Sequence, residues 1–145
     1  MSFRTGQVRF QEATTDNAPL FCGVPERSPI SPILFLLYTQ PIYQLGISKQ
    51  RFGYADDIAM LQFGNRVEDT AKEATEDISA LVAWGQDNAL HSDPIKTEVM
   101  HFSRQNLQSL PVIQYSGVLK FPEESLRRLG IYFDQRLSFK IHVNK

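Results

Sequence analysis

The stretch RFGYADDIAMLQF, residues 51–63, decides the fold expected for this chain. Its flanks, Arg51 to Tyr54 and Ile58 to Phe63, are short runs rich in the aromatic and branched residues that favour strands. Three residues, Ala-Asp-Asp, separate the two runs. The sequence therefore predicts a β-hairpin with the carboxylates of Asp56 and Asp57 at its tip.

Two adjacent acids in a turn have a specific chemical use. A turn can direct neighbouring side chains into one space, which a regular strand with its alternating faces cannot do. Two carboxylates held that close repel each other by a few kcal/mol, and a hard cation such as Mg²⁺ or Mn²⁺ relieves the repulsion. Acids are common in turns, so an ordinary solvated hairpin is the favoured interpretation of the pair in isolation. The apolar residues on both sides favour a functional site, because a buried hairpin with two acids is costly without one.

An amphipathic helix is predicted after the hairpin. Apolar residues recur at steps of three and four, and Asn65 with Glu68 three residues later resembles a capping box. The apolar face consists of Val67, Ala71, Ala74, Ile78 and Leu81, and the polar face of Glu68, Asp69, Lys72, Glu73, Glu76 and Asp77.

Before the hairpin, the sequence predicts two strands and a loop over residues 3–22, then a loop from Gly23 to Pro29. Ser31 and Pro32 have the residue types of a helix cap and a first helical position. The run from Ile33 to Tyr38 is apolar on all sides, which predicts a buried helix that ends near Pro41.

After the helix, the sequence predicts a strand from Ile95 to Phe102 and a hairpin around Ser116-Gly117. A further strand, Leu126 to Phe133, and a last helix opened by Ser138 follow. Interleaved helices and hairpins indicate an α+β fold with a mostly antiparallel sheet.

Composition restricts the function less than the motifs do. The chain has 145 residues, 42% of them hydrophobic, which is enough for one modest domain. The net charge of -1 gives no support to a nucleic-acid partner, although residues 120–145 are locally basic.

Cys22 is the single cysteine, so no internal disulfide is possible, and an intracellular location is expected. The longest apolar run, Ile33 to Tyr38, is too short to cross a bilayer, so we expect no membrane partner.

Four blocks in order resemble a known family. The hairpin sequence is similar to the Tyr-x-Asp-Asp motif of reverse transcriptases, especially those of non-LTR (LINE-like) retrotransposons. Residues 23–35, GVPERSPISPILF, resemble the preceding template and nucleotide loop, and residues 90–98, LHSDPIKTE, resemble the next block. Residues 129–134, LGIYFD, resemble the region that grips the primer end. The resemblance implies a polymerase palm fragment over about 1–103, and the primer grip with the start of the thumb over about 110–145.

The resemblance also implies roles for individual residues. Asp56 and Asp57 would be catalytic acids that bind Mg²⁺ (or Mn²⁺) for two-metal nucleotidyl transfer, with Asp56 a ligand of both ions and Asp57 in weaker contact. Lys96 would face the leaving pyrophosphate, although a plain surface position is an equal alternative. The implied partners are an RNA or DNA template–primer and a dNTP, and the implied location is nuclear. The predicted nucleotide and template contacts are Tyr54, Gly23, Val24, Pro25, Arg27 and Ser28, and the predicted primer-grip residues are Leu129 and Gly130.

Two departures from the family pattern matter. The family has Gln-Gly where this chain has Glu26-Arg27, and glycine there lets the backbone approach the nucleic acid. The family's first catalytic aspartate lies on a strand upstream of the Gly23 loop, whereas Asp16 lies in a polar stretch and receives no such role. We therefore expect a palm truncated on its N-terminal side that is inactive alone.

Two alternatives stay open. One is a nucleic-acid-binding module without catalysis that uses Arg127, Arg128, Arg136 and Lys140. The other is a structural remnant whose exposed apolar surface promotes association.

Overall fold

The computed structural model describes residues 4–20, 23, 27–46, 50–104 and 109–145. These residues form an α+β fold with five antiparallel strand pairs and three α-helices, so the predicted class is confirmed. The chain divides into two compact units, residues 1–40 and 41–145. No helix in the described ranges combines the length and apolar character that a membrane span requires.

The first unit contains two nested strand pairs and one helix. Strand β1 (Arg4–Gly6) pairs with β4 (Ala18–Leu20), and between them β2 (Arg9–Phe10) pairs with β3 (Ala13–Thr14). The prediction of two strands around one loop is therefore wrong in detail. The start of the predicted polar loop is instead the turn and second strand of a small hairpin, with Gln11 and Glu12 in the turn and a positive φ of +54° at Gln11.

Helix α1 (Ser31–Thr39) begins one residue earlier than predicted, with Pro32 in its first turn. A 3₁₀ helix, Gln40–Gln44, follows and contains Pro41, so the predicted helix end is confirmed. The predicted burial is wrong, because Ile33 is 57% exposed and Leu37 is 67% exposed. A helix that is apolar on all sides needs a packed layer on each side, and the described part of the first unit supplies only short strand pairs.

The predicted acidic hairpin is present at the start of the second unit. Strand β5 (Arg51–Tyr54) pairs with β6 (Asp57–Met60), so the second strand begins at Asp57 and ends before Phe63. The backbone N–H of Leu61 donates to the carbonyl of Gln50 at 2.9 Å and extends the pairing at its open end.

The apolar core of the second unit lies between a helix and a second hairpin. Helix α2 (Val67–Asp87) packs Ala71 and Ile78 against strand β7 (Ile113–Tyr115), whose two end residues are buried. Strand β8 (Val118–Lys120) completes the predicted hairpin, and Ser116 and Gly117 in its turn both have positive φ, as type I′ turns require. The capping box is wrong, because the N-cap is Arg66 and no side chain caps the helix.

Two predictions about the last third of the chain are wrong. Residues 95–102 form no strand; they make isolated backbone bonds instead, such as that from Glu123 N–H to the Val99 carbonyl at 2.7 Å. The single strand predicted over 126–133 is a hairpin of β9 (Ser125–Arg128) and β10 (Ile131–Asp134). A two-residue turn, Leu129-Gly130, has positive φ at both positions and interrupts the apolar pattern. Helix α3 (Lys140–Val143) follows Ser138 as predicted.

Candidate active site

The two adjacent acids stand at the tip of hairpin β5–β6. Tyr54 pairs with Asp57, so Ala55 and Asp56 form a two-residue turn. Ala55 has a φ of +51°, the left-handed conformation that primed hairpin turns require at this position. Both aspartates and Tyr54 are exposed, so both carboxylates are open to solvent and to a ligand.

A buried ion pair holds the base of the same hairpin. Arg51 Nη2 lies 3.4 Å from Asp77 Oδ1 on helix α2, and neither side chain is exposed. Arg51 Nη1 also donates to the carbonyls of Ile42, at 2.6 Å, and Leu45. The Gln62 amide donates to the second oxygen of Asp77 at 2.5 Å. These contacts tie β5 to α2 and to the 3₁₀ helix, because a buried charge is tolerated only with partners of this kind.

A close approach explains the glycine before Tyr54. A Cβ added at Gly53 would collide with the hydroxyl of Tyr43, which stands against the β5 backbone. Tyr43 follows Ile42 in the 3₁₀ helix, so this segment supports the hairpin through two successive residues. Glycine at 53 therefore has a packing reason.

The sequence interpretation missed the role of Arg51 and Asp77. Asp77 was predicted on the polar face of α2, whereas it is the most deeply buried side chain in the described part of the chain. Its spacing contained the signal, because Asp77 stands three residues after Ala74 and four before Leu81, both on the apolar face. A single acid in that register calls for a buried cation, and Arg51 is that cation.

A second arginine contacts the acidic turn directly. Arg128 Nη1 on β9 lies 3.3 Å from Asp57 Oδ2, and the two side chains are 29% and 54% exposed. Asp56 has no ion pair with any residue in the described ranges. The two neighbouring carboxylates therefore differ: one already has a cationic partner.

The remaining predicted catalytic and primer-grip residues occupy other surfaces. The side chain of Lys96 is 85% exposed and lies 4.0 Å from Asp93, with no ion pair to Asp56 or Asp57. Leu129 and Gly130 form the exposed turn of hairpin β9–β10. Both roles stay predictions from the resemblance.

At the other end of hairpin β9–β10, Asp134 organises the connection to α3. Its carboxylate accepts hydrogen bonds from the backbone N–H groups of Ser138 and Arg136, each at 3.0 Å, and from the Ser138 hydroxyl at 2.9 Å. The bond from the Ser138 N–H is the main cause that lowers the pKa of Asp134 below its ordinary value, because it stabilises the ionised form.

The predicted nucleotide loop lies in the first unit. Val24 and Pro25 fall outside the described residues, while Ser28 accepts a backbone hydrogen bond from Ser31 at 3.1 Å. Gly23 has a φ of +81°, and Arg27 has a φ of +59°. Arg27 thus adopts a conformation that favours glycine, the residue that the family pattern has at this position.

The chemistry of the two carboxylates suits a hard divalent cation, but their number falls short of a two-metal site. Nowhere in the described ranges do three His, Cys, Asp or Glu side chains stand together as a metal-binding group. Asp57 in addition contacts Arg128. The described residues of the acidic turn therefore supply two of the oxygen-bearing side chains that a two-metal site needs, and they do not complete one.

No protein-family model and no solved structure matches this chain. It is 28% identical over 148 aligned residues to the probable RNA-directed DNA polymerase from transposon BS of Drosophila melanogaster, covering 97% of this chain and 16% of that protein. It is 25% identical to the probable RNA-directed DNA polymerase from transposon X-element of the same organism, covering 94% of this chain and 15% of that protein. The chain thus spans about a sixth of the length of these relatives, and its sequence is similar to the RNA-directed DNA polymerases of transposons, as its four motifs predicted.

Proposed function

We propose that this chain is part of an RNA-directed DNA polymerase and that hairpin β5–β6 presents Asp56 and Asp57 to a divalent cation. One observation supports this most directly: both acids stand exposed at the tip of a hairpin whose base is fixed by the buried Arg51–Asp77 pair. A tip that is open and a base that is rigid suit a metal-binding turn, since ligands must be held in place to bind well.

The proposal extends to the regions around the hairpin. Residues of about 1–103 would belong to the palm, and residues of about 110–145 to the primer grip and the start of the thumb. A template–primer and a dNTP would be the substrates of the whole polymerase, and nuclear residence follows from the same resemblance. Hairpin β9–β10 supports this arrangement, because Arg128 joins it to the acidic turn.

We further propose that the chain alone does not extend a primer. Two carboxylates, one of which contacts an arginine, are too few oxygen ligands to hold two cations near 4 Å from each other. Incubation with Mn²⁺, an RNA template, a DNA primer and dNTPs should give no extension, and robust synthesis that Asp56→Asn abolishes would contradict this.

Cation binding by the folded chain tests the metal proposal itself. Titration with Mn²⁺, followed through the electron paramagnetic resonance signal of the free ion, should reveal weak binding that Asp56→Asn reduces. Asp16→Asn is the matched control, because Asp16 is also exposed and lies in a loop of the first unit. Equal binding by all three proteins would refute the proposal.

A nucleic-acid-binding role without catalysis is the second candidate. The centroid of the Tyr132 ring lies 4.1 Å from Lys145 Nζ and 5.5 Å from the Arg127 guanidinium, so an aromatic side chain, a type that can stack on a base, stands beside two cations. Salt-sensitive binding of single-stranded RNA that survives Asp56→Ala but falls in Tyr132→Ala would favour it. Binding that survives both changes would count against it.

A further inference from the structure

Arg128 occupies a distinctive position on hairpin β9–β10. Along β9, Leu126 and Arg128 are partly buried while Ser125 and Arg127 are exposed, so the strand directs Arg128 and Arg127 to opposite faces. Arg128 reaches Asp57 at 3.3 Å, whereas Arg127 lies over the Tyr132 ring at 5.5 Å. Two adjacent arginines thus have entirely different partners.

The ion pair has a consequence for the acidic turn. A guanidinium and a divalent cation compete for the same carboxylate oxygens, and the two cations repel each other when both are close. While Arg128 holds Asp57, the turn offers Asp56 as its open ligand. Arg128 contacts one oxygen of Asp57, so its positive charge opposes cation binding by both acids for as long as the pair is made.

We infer that Arg128 is a positioning residue that neutralises Asp57 in the absence of metal and is displaced when a divalent cation binds. The inference rests on the proposed metal role of the acidic turn. It adds that cation binding breaks the tie between hairpins β5–β6 and β9–β10. A contact that draws Arg128 away, such as one with a bound phosphate backbone, would raise the affinity of the turn for metal, and by linkage bound metal would raise the affinity for that contact by the same factor.

The exposure of the pair sets the size of the effect. Both side chains are partly open to water, so their attraction is screened and a divalent ion can replace it. Removing the guanidinium ends the competition and also removes a positive charge from the edge of the site. We expect Arg128→Gln to tighten Mn²⁺ binding roughly threefold to tenfold at low salt.

The test compares Mn²⁺ titrations of the intact chain and three variants. Arg128→Gln should bind Mn²⁺ more tightly, and Arg128→Lys, which keeps the charge, should stay near the unmodified chain. Arg127→Gln is the matched control, since it removes the same charge from the neighbouring position. Equal tightening by Arg127→Gln and Arg128→Gln would reduce the effect to net charge and overturn the inference, as would equal tightening by Arg128→Lys.

A second measurement observes the arginine itself. The side-chain Nε–H resonance of Arg128, identified by its loss in Arg128→Gln, should shift as Mg²⁺ is added to the folded chain. In Asp57→Asn that resonance should begin at a different position and respond little to Mg²⁺. A resonance that ignores Mg²⁺ while Mn²⁺ still binds through Asp56 would overturn the inference and leave the proposed function intact. Absence of any Mn²⁺ binding that depends on Asp56 would instead refute the proposed function.

Discussion

Hairpins β5–β6 and β7–β8 have the same plan but are held by different forces. Each joins two short antiparallel strands through a two-residue turn, and both belong to the second unit. In β7–β8 the buried residues are Ile113 and Tyr115, which join the apolar core with helix α2. In β5–β6 the one buried residue in the strands is Arg51, which pairs with Asp77. Both tips are exposed, so the difference lies in the anchor: a pair of buried charges fixes the base of β5–β6, whereas the apolar face of β7 fixes β7–β8 against helix α2.

The largest expected effect comes from removing the buried partner of Arg51. Asp77→Ala should lower the free energy of unfolding by about 3–5 kcal/mol, because it leaves a buried guanidinium without its carboxylate. Ile113→Val, which trims the apolar hairpin instead, should cost only about 0.5–1.5 kcal/mol. Urea unfolding of the three proteins measures both values.

The double variant Arg51→Met, Asp77→Leu separates charge from shape. Replacing both partners of a buried pair by apolar side chains is often neutral for stability, so this variant should recover most of the loss. A cost for Asp77→Ala no greater than that for Ile113→Val would remove the distinction between the two hairpins.

Gly53 should be the next most sensitive position. A methyl group there collides with the Tyr43 hydroxyl, so Gly53→Ala should cost about 1–3 kcal/mol through displacement of the Tyr43 side chain from β5. Tyr43→Phe removes the colliding oxygen and should relieve part of that cost in the double variant. A double-mutant cycle from urea unfolding gives the coupling energy, and strict additivity would show that the two residues do not interact.

The sequence was most informative where the pattern was local. Adjacent acids between two strand-like runs predicted hairpin β5–β6, and Ser116-Gly117 predicted hairpin β7–β8, because turn conformations depend on the residues in the turn itself. Leu129-Gly130 was missed as a turn, since leucine rarely adopts the left-handed conformation that it has here. Its apolar neighbours resembled one continuous strand.

Long-range polar pairs were beyond the sequence pattern. Arg51 and Asp77 are 26 positions apart, and Asp57 and Arg128 are 71 positions apart, so no spacing rule joins them. Hydrophobic periodicity predicts which face of an element is buried, but it does not identify the partner of a charge on that face. The candidate site was thus predictable at its tip and not at its base.

Turn chemistry should have a smaller effect that is alike in both hairpins. Ala55 and Ser116 both have φ near +50°, a conformation that costs an L residue about 1–2 kcal/mol. Glycine avoids this cost, but the greater conformational freedom of glycine in the unfolded chain offsets part of the gain. Ala55→Gly and Ser116→Gly should therefore each raise the free energy of unfolding by roughly 0.5–1 kcal/mol. Ala83→Gly in helix α2 is the control and should lower it by about 1 kcal/mol. A loss in Ala55→Gly alone would mean that the acidic turn obeys different constraints.

The smallest effect concerns hairpin β9–β10, whose polar contacts lie at the surface. Since hydrogen bonds from Ser138 and Arg136 lower the pKa of Asp134 in the folded chain, its carboxylate stabilises the fold above its ordinary pKa of 3.8. That stabilisation is lost as the pH falls through the lower folded pKa. Asp134→Asn should therefore be less stable than the unmodified chain at neutral pH, and the difference should shrink once the pH drops below about 4. Ser138→Ala, which keeps the backbone donor, should retain most of the pH dependence. A stability difference between Asp134→Asn and the unmodified chain that does not change with pH would mean that Asp134 acts through shape and not through charge. Exposed polar contacts would then fix this hairpin by a mechanism unlike that of the buried pair under β5–β6.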